Sequence, residues 1–226
     1  MKLVPPAVER AYYSVQQPLV DWLLRAGVRP NSLTTFGAAL VLLSALAFGV
    51  GMIRFGGLLL LASGLVDTLD GQVARHGGMV TKFGAFYDST LDRVGDGATF
   101  IGIAAFLLTE PGVYRPVAAA VVCMVAVLAS LIVSYARARA EGLGLDCKVG
   151  LAQRAERILG IGLPSLLVGA GPRALVLEGI VAVLAVLSII TVVQRFVHVH
   201  RQTEGVAGPG RSRASAATVD TVPKGS

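Results

Sequence analysis

Six long apolar segments dominate this sequence and leave few folds open to it. They lie at about residues 33–53, 56–76, 81–109, 115–140, 153–170 and 174–197. Each is close to or longer than the roughly 17 to 25 residues that a helix needs to cross a bilayer. Lipid offers no water to backbone polar groups, so such segments are expected to be helical. With a mean hydropathy of +0.70, the chain is not an ordinary soluble domain. We predict an all-α integral membrane protein with six transmembrane helices.

The first 30 residues have a different pattern. Val8, Tyr12, Val15, Leu19 and Trp22 recur at three- and four-residue steps with polar residues between them. This periodicity predicts an N-terminal amphipathic helix that lies at the membrane interface. Charged residues interrupt the segment, so it does not have the apolar core of a secretory signal.

These patterns divide the chain into three parts. Residues 1–30 form the amphipathic juxtamembrane segment, and residues 31–200 form the six-helix membrane domain. Residues 201–226 are rich in Gly, Pro, Ser, Ala and Thr without periodicity, which predicts a disordered cytoplasmic tail.

The lysines and arginines indicate the orientation of the spans. Only Arg54, Arg115 and Arg173 fall in turns on one side, and Arg93 lies inside a span. All the other basic residues fall on the opposite side, which the positive-inside rule assigns to the cytoplasm. We therefore expect a multi-pass protein of the cell membrane with both termini cytoplasmic. The net charge of +6 is scattered between apolar spans, so we expect no nucleic-acid partner.

Four aspartates interrupt the second and third apolar segments. Asp67 and Asp70 are three residues apart, and Asp88 and Asp92 are four apart, so on helices each pair projects from one face. Acidic side chains are costly in a membrane and mark functional sites there. Hard divalent cations, Mg²⁺ or Mn²⁺, would compensate such a cluster of oxygen ligands.

A purely structural role is the alternative for these aspartates. Arg75, Lys82 and Arg93 lie close in sequence and would form salt bridges with them. Salt bridges alone do not explain Gly71 and Gly84, which stand near the carboxylates. Glycine at such positions lets a ligand or another backbone approach closely.

The residues of this region also form one fixed pattern, D-x2-D-G-x2-A-R-x8-G-x3-D-x3-D, between Asp67 and Asp92. The pattern resembles the signature of the CDP-alcohol phosphotransferase family. The resemblance implies transfer of a phosphatidyl group from CDP-diacylglycerol to an alcohol, with release of CMP. It also implies a homodimer, for which the sequence itself offers no interface.

The resemblance assigns roles to individual residues. It implies that two Mg²⁺ ions, or Mn²⁺, are bound by Asp67, Asp70, Asp88 and Asp92, with Asp92 also acting as the base toward the attacking hydroxyl. The contacts that it implies for the CDP-lipid are Pro30, Asn31, Ser32, Leu33, Gly71, Arg75 and Thr81. Pro30, Asn31, Ser32 and Leu33 have a second interpretation, because this stretch could simply cap the first spanning helix, with Asn31 or Ser32 as the N-cap. Arg75 could be a snorkelling basic residue at the membrane surface.

The acceptor has to be inferred from basic residues elsewhere. Arg137, Arg154 and Arg195 lie near the cytoplasmic ends of the last three spans, and guanidinium groups that converge would bind a phosphate on the acceptor. The stretches SYARARAEG at 134–142, QRAERI at 153–158 and DSTLDR at 88–93 resemble the bacterial phosphatidylinositol phosphate synthase branch, in which the acceptor is inositol 1-phosphate. Arg137 and Ala155 depart from that branch, which usually has lysine and proline there.

Other interpretations remain open at this point. Phosphatidylglycerol phosphate synthase belongs to the same family and also uses a phosphorylated acceptor. A cation transporter would use the acidic cluster differently, but it predicts paired helix breaks and an internal repeat that this sequence does not contain. Each arginine alone is also explained by the positive-inside rule. Asp96 continues the stripe of Asp88 and Asp92, and we expect it to pair with Arg93 or Arg157.

Overall fold

Seven α-helices follow one another in the part of the chain that the structure, a computed structural model, describes: residues 6–151 and 153–204. They are α1 (Pro6–Arg25), α2 (Pro30–Gly49), α3 (Ile53–His76), α4 (Lys82–Thr109), α5 (Pro116–Gly142), α6 (Arg154–Leu167) and α7 (Leu175–Glu204). A short 3₁₀ turn, Pro172–Ala174, precedes α7, and no strand occurs in the described residues. The predicted all-helical architecture is confirmed.

The helix bounds follow the apolar segments closely, with two differences. α6 ends at Leu167, before the predicted end of its segment, and α7 continues to Glu204. α7 therefore extends past residue 201, where the tail was predicted to begin, because polar residues prolong a helix as readily as apolar ones and hydropathy does not mark helix ends. The rest of the predicted tail, residues 205–226, lies outside the described residues.

The start of α2 also differs from the prediction. The N-cap is Arg29, whose side chain makes no capping hydrogen bond, and Pro30 is the first helical residue. Asn31 and Ser32 lie inside the first turn, so neither is the cap. Proline at the first position of a helix has its backbone angle already set and has no N–H that needs a partner, which favours initiation one residue earlier.

One apolar core connects α2 to α7. The largest of its fully buried side chains are Phe48, Phe100, Ile103, Leu107, Leu177 and Val181. A second, smaller cluster joins α1 to α3 through Val20 and Leu23 on one side and Leu69 and Val73 on the other. The second cluster fixes α1 beside the end of α3 that carries the aspartates.

Glycines bring two pairs of helices into close contact. A Cβ on Gly102 of α4 would lie 2.1 Å from the carbonyl oxygen of Ala45 in α2. A Cβ on Gly57 of α3 would lie 2.7 Å from the carbonyl oxygen of Gly162 in α6. Small residues allow such approach in membrane proteins, where packing rather than the hydrophobic effect drives helix association.

In the described part of the chain, three helical segments are long and apolar enough to cross a membrane, by length and composition. They are Pro30–Gly49, Pro116–Gly142 and Pro172–Glu204, and a window of 18 residues within each has a mean hydropathy of 1.8, 2.7 and 2.7, respectively. Outward-facing side chains such as Leu46, Ile101, Val117 and Met124 are large and apolar as well. A surface of this kind is solvated by lipid, so the protein is embedded in a membrane.

The bundle has two chemically different ends. At one end, α3 ends and α2, α4 and α6 begin. We call it the acidic end, because it carries the four aspartates. The far end is the one where α2, α4 and α6 end and α3 and α7 begin. Asp88 and Phe106 lie at opposite ends of α4, about 27 Å apart at the rise of an α-helix.

Candidate active site

Three carboxylates meet at the acidic end of the bundle. Asp67 and Asp70 lie in the last turns of α3, and Asp88 lies in the second turn of α4. Each of the three carboxylates has one oxygen that lies within 4.8 Å of an oxygen of both others. The turn at Gly77 and Gly78 reverses the chain between the two helices and thereby brings the two pairs of aspartates together.

This oxygen set fits a hard divalent cation. Asp70 is almost completely buried, and Asp88 Oδ1 is a buried atom that lacks a hydrogen-bond partner. A buried carboxylate oxygen without a donor is costly unless a cation or another group compensates it. Carboxylates are the ligands that Mg²⁺ and Mn²⁺ prefer.

Asp92 lies beside this group and contacts arginine. Its Oδ1 lies 3.0 Å from Arg154 Nη1, and its Oδ2 lies 3.4 Å from Arg93 Nη1. Asp92 also borders the same small cavity as Asp67 and Asp70. The structure therefore brings three of the four predicted metal ligands into one close group, with the fourth at its edge.

Arg154 is the main departure from the sequence analysis. Its Nη1 lies 2.6 Å from Asp67 Oδ1 as well as near Asp92, so one guanidinium connects α3 and α4 from the start of α6. We expected Arg154 to belong to a separate group of arginines. The physical reason is charge. Four-fifths of the Arg154 side chain is buried, and a buried cation needs anionic partners, which the nearby aspartates supply.

Thr34 is a site residue that the sequence analysis missed. It is buried, and its hydroxyl donates a hydrogen bond to Asp70 Oδ2 at 2.6 Å. Hydrogen bonds of this kind orient carboxylates that bind metals. The signal available in the sequence was its position directly after the PNSL stretch at the start of α2.

The first turns of α2 and α4 lie side by side. Thr81 is the N-cap of α4, and its Oγ1 accepts a hydrogen bond from the Gly84 backbone N–H at 2.9 Å. A Cβ on Gly84 would lie 3.3 Å from Asn31 Oδ1, so only a residue without a side chain leaves this space free. Unpaired N–H groups at helix N-termini favour phosphate, and here two such termini are neighbours.

The other predicted CDP-lipid contacts surround the same region. The guanidinium of Arg75 lies over Gly71, where a Cβ would be 3.2 Å from Arg75 Nη1. Ser32 is exposed and Pro30 is partly exposed. Leu33 instead packs against the cluster between α1 and α3, which leaves mainly its backbone for a ligand.

A second ion pair lies one turn deeper in the bundle. Arg157 Nη2 contacts Asp96 Oδ2, and both side chains are largely buried. The expected pairing of Asp96 is confirmed, with Arg157 as the partner. The pair lies parallel to Arg154 and Asp92, because Arg154 and Arg157 are three residues apart on α6 and Asp92 and Asp96 are four apart on α4.

The two remaining arginines make different contacts. Arg195 is buried and donates hydrogen bonds from Nε to the carbonyl oxygen of Val149, at 2.9 Å, and from Nη1 to that of Val133. Arg137 is partly exposed and pairs with Glu141 at 2.8 Å. Arg137 and Arg195 are near enough to interact electrostatically. Within the described residues, however, Arg137, Arg154 and Arg195 do not share one bonded partner.

Comparison with known proteins identifies the family of this chain. Residues 28–194 match the family described as CDP-alcohol phosphatidyltransferase. The matched region begins just before α2 and ends within α7, so it contains the four aspartates, Thr34 and Arg154, and it stops one residue before Arg195.

Two curated relatives resemble nearly the whole chain. A phosphatidylinositol phosphate synthase from Mycolicibacterium smegmatis is 38% identical over 210 residues, which is 88% of this chain and 89% of the relative. An archaetidylinositol phosphate synthase from Methanothermobacter thermautotrophicus is 38% identical over 182 residues, which is 80% of this chain and 87% of the relative.

Crystal structures of the phosphatidylinositol phosphate synthase of Mycobacterium tuberculosis have the same fold. The structure with CDP-DAG bound has a TM-score of 0.72 and 32% identity, and the match covers 82% of this chain and 94% of that chain. The structure with manganese and citrate has a TM-score of 0.71 and 33% identity, covering 81% and 88%. This chain thus belongs to the CDP-alcohol phosphatidyltransferase family, whose members transfer phosphatidyl groups from CDP-DAG to alcohols, and is a membrane-embedded transferase.

Proposed function

We propose that this protein transfers the phosphatidyl group of CDP-diacylglycerol to a phosphorylated polyol, with inositol 1-phosphate as the acceptor, and produces phosphatidylinositol phosphate and CMP. The observation that carries the proposal is the group of Asp67, Asp70 and Asp88 at the acidic end, with arginines around it. The two curated relatives support the acceptor, because inositol phosphate is common to both of their names.

The cofactor in this proposal is a pair of Mg²⁺ ions, for which Mn²⁺ could substitute. Asp67, Asp70 and Asp88 would hold them, with Asp92 completing the set from its neighbouring position. Support comes from the buried and unbonded Oδ1 of Asp88 and from the relative that was solved with manganese. Bound divalent cations would neutralise the pyrophosphate and stabilise the departing CMP.

The chain's own residues then have separate tasks in the reaction. Pro30, Asn31, Ser32 and Leu33 present the N-terminus of α2 to the nucleotide, as does Thr81 for α4. Gly71 leaves room for Arg75 and for the phosphates, and the guanidinium binds them bidentately. Thr34 keeps Asp70 oriented through its hydrogen bond.

Asp92 is the proposed base. It lies on the same cavity as Asp67 and Asp70, one helical turn from Asp88. Two guanidinium groups, of Arg154 and Arg93, contact its oxygens and hold the carboxylate in place, and in its ionised form Asp92 would accept the proton of the attacking hydroxyl.

Arg154, Arg195 and Arg137 are the proposed contacts of the acceptor phosphate. Arg154 has the strongest support, because it is the first residue of α6 and its guanidinium contacts the carboxylates of Asp67 and Asp92. Arg195 is held rigidly by two carbonyl oxygens, and Arg137 is partly exposed beside it. A phosphate dianion compensates several guanidinium groups, whereas a neutral polyol does not.

The membrane arrangement belongs to the same proposal. Six spans, α2 to α7, place the acidic end and both termini at the cytoplasmic face, and α1 lies along that interface as the juxtamembrane segment. The positive-inside distribution of basic residues supports this orientation. We also propose a homodimer, on family resemblance, with the membrane domain at 31–200 and the tail from 201 onward.

Turnover of isotope-labelled CDP-diacylglycerol against a panel of acceptors tests the function. Inositol 1-phosphate should react far faster than inositol, glycerol, serine or glycerol 3-phosphate. Preference for glycerol 3-phosphate would assign the protein to phosphatidylglycerol phosphate synthesis instead. Equal rates with neutral and phosphorylated acceptors would contradict the role of the arginines.

A further inference from the structure

A cavity of about 600 Å³ opens at the far end of the bundle, away from the aspartates. Segments from three places in the chain line this open cavity: the turn from α2 to α3, the end of α4, and the connection from α6 to α7. Its volume lies within the range of small-molecule sites in proteins, roughly 300 to 1,000 Å³. No residue of the proposed catalytic reaction lines it.

Three charged side chains line this cavity: Arg54, Arg173 and Glu110. Within the described residues, none of the three takes part in a salt bridge. Arg54 leans toward the α6–α7 connection, where its Nε lies 3.8 Å from the position of a Cβ on Gly169. Glu110 and Arg173 both flank Gly112, whose Cβ would lie 3.9 Å from Glu110 Oε1 and 3.7 Å from Arg173 Cα.

The backbone that presents Arg173 is unusual. Arg173 and Ala174 are the two non-glycine residues with positive φ in the described chain, at 50° and 59°. Both line the cavity. Such conformations cost free energy and persist where packing holds them, and Ala174 is indeed buried. Arg173 is therefore fixed at the cavity rather than placed on a free loop.

The surroundings of the cavity are apolar and lie at the depth of lipid headgroups. Met52 and Phe55 line it and are about half exposed. α2 ends beside it and α7 begins beside it, and both helices are apolar enough to span. The ends of spans coincide with the headgroup layer, so lipid molecules surround the opening.

We propose that this cavity binds a phospholipid whose headgroup carries both a phosphate and a primary ammonium group. Arg54 and Arg173 bind the phosphate, for which guanidinium is well suited. Glu110 accepts hydrogen bonds from the ammonium group, and Met52 and Phe55 contact the first carbons of the acyl chains. A purely anionic headgroup would bring negative charge near Glu110 and leave that carboxylate without a partner.

Native mass spectrometry of the full-length protein in mild detergent tests this site. The probes are phosphatidylethanolamine, phosphatidylcholine and phosphatidylglycerol with identical acyl chains, together with soluble phosphoethanolamine. The wild-type protein should retain phosphatidylethanolamine best. Arg54→Gln with Arg173→Gln should lower that retention about tenfold or more, because both guanidinium groups that bind the phosphate are lost.

Two further variants make the test specific. Glu110→Gln should lower retention of phosphatidylethanolamine and raise that of phosphatidylglycerol. Arg115→Gln is the matched control, because Arg115 lies at the same end, over the ring of Tyr114, and does not line the cavity. Its lipid retention should equal that of the wild type. Turnover at the acidic end should persist in all four proteins, which confirms that they are folded.

Three results would overturn the proposal. The first is equal retention of the three lipids by the wild type, and the second is a loss in Arg115→Gln as large as in the double variant. The third is displacement of the lipid by an equal concentration of soluble phosphoethanolamine, which would make the occupant a soluble phosphate compound.

Discussion

Arg154 Nη1 lies 2.6 Å from Asp67 Oδ1, although the two residues are far apart in the sequence. The contact joins the start of α6 to the end of α3 and places a protein cation among carboxylates that fit a divalent cation. A bound divalent cation would therefore share those oxygens with the arginine. The expected consequence is that loss of the arginine makes the fold more dependent on the metal.

The first prediction concerns Arg154→Gln. In EDTA its melting temperature should be lower than that of the wild type, since removing one partner of a half-buried ion pair costs about 1–3 kcal/mol. Added Mn²⁺ should stabilise the variant more than the wild type, because the freed carboxylates bind the ion without competition. Thermal unfolding in detergent measures both. Arg137→Gln is the control, since its ion pair with Glu141 is exposed to solvent. If Mn²⁺ raises the melting temperature equally in all three proteins, Arg154 and the metal do not compensate the same carboxylates.

The second prediction concerns the carboxylates themselves. Asp67→Asn, Asp70→Asn and Asp88→Asn should each abolish turnover while the purified protein still elutes as a folded species, because each removes a charged oxygen ligand. EDTA should abolish turnover of the wild type, and Mg²⁺ or Mn²⁺ should restore it. Asp146→Asn, at an exposed aspartate near Lys148, is the matched control and should retain full activity. Undiminished activity in EDTA is the result that excludes the metal mechanism.

The third prediction concerns the hydroxyl of Thr34. Thr34→Val keeps the shape of the side chain and removes the hydrogen bond to Asp70. Loss of a group that orients a metal ligand typically costs about 10- to 100-fold in metal affinity or activity. The concentration of Mn²⁺ for half-maximal turnover should rise accordingly, and Thr34→Ser should behave like the wild type. If valine and serine variants need the same Mn²⁺ concentration, the hydrogen bond has no role in binding.

The fourth prediction concerns the crossing of α2 and α4. Gly102→Ala would put a Cβ 2.1 Å from the carbonyl oxygen of Ala45, so the helices must separate, at a cost of roughly 1–3 kcal/mol typical of overpacking. Gly97→Ala, on the same helix, meets nothing within 4 Å and should be neutral or slightly stabilising. Melting temperatures of the two variants compare them directly. Similar values would mean that the crossing is looser than the structure indicates.

Much of this arrangement follows from local sequence patterns. Apolar segments located the helices, and the spacing within each pair, Asp67 with Asp70 and Asp88 with Asp92, placed that pair on one face of a helix. These features depend on residues close together in the chain, where helical periodicity fixes the geometry. The metal-ligating role of the aspartates stays a prediction, as do the six spans and the cytoplasmic orientation.

Contacts between distant segments could not be read in the same way. Arg154 was expected apart from the aspartates, yet the packing of α6 along α3 places it on Asp67. Thr34 was overlooked because nothing near it in the sequence indicates Asp70 as its partner. The end of α7 was placed too early, because hydropathy reports the lipid-facing part of a helix and not its last hydrogen-bonded turn.

The last prediction concerns the acceptor phosphate and Arg195. Arg195→Gln should raise the KM for inositol 1-phosphate about tenfold or more, the effect of one lost charged hydrogen bond, and leave the KM for the CDP-lipid nearly unchanged. It should also lower the melting temperature, because the carbonyl oxygens of Val133 and Val149 lose their donors. The KM values separate the two effects when they are measured well below that melting temperature. Arg195→Lys should recover part of the affinity through its charge. Arg139→Gln is the control, because Arg139 is an exposed arginine in the last turn of α5, and it should change neither KM.

If Arg195→Gln instead lowers kcat alone or raises both KM values equally, Arg195 only holds the loop at Val149, and the acceptor phosphate must be bound by other residues.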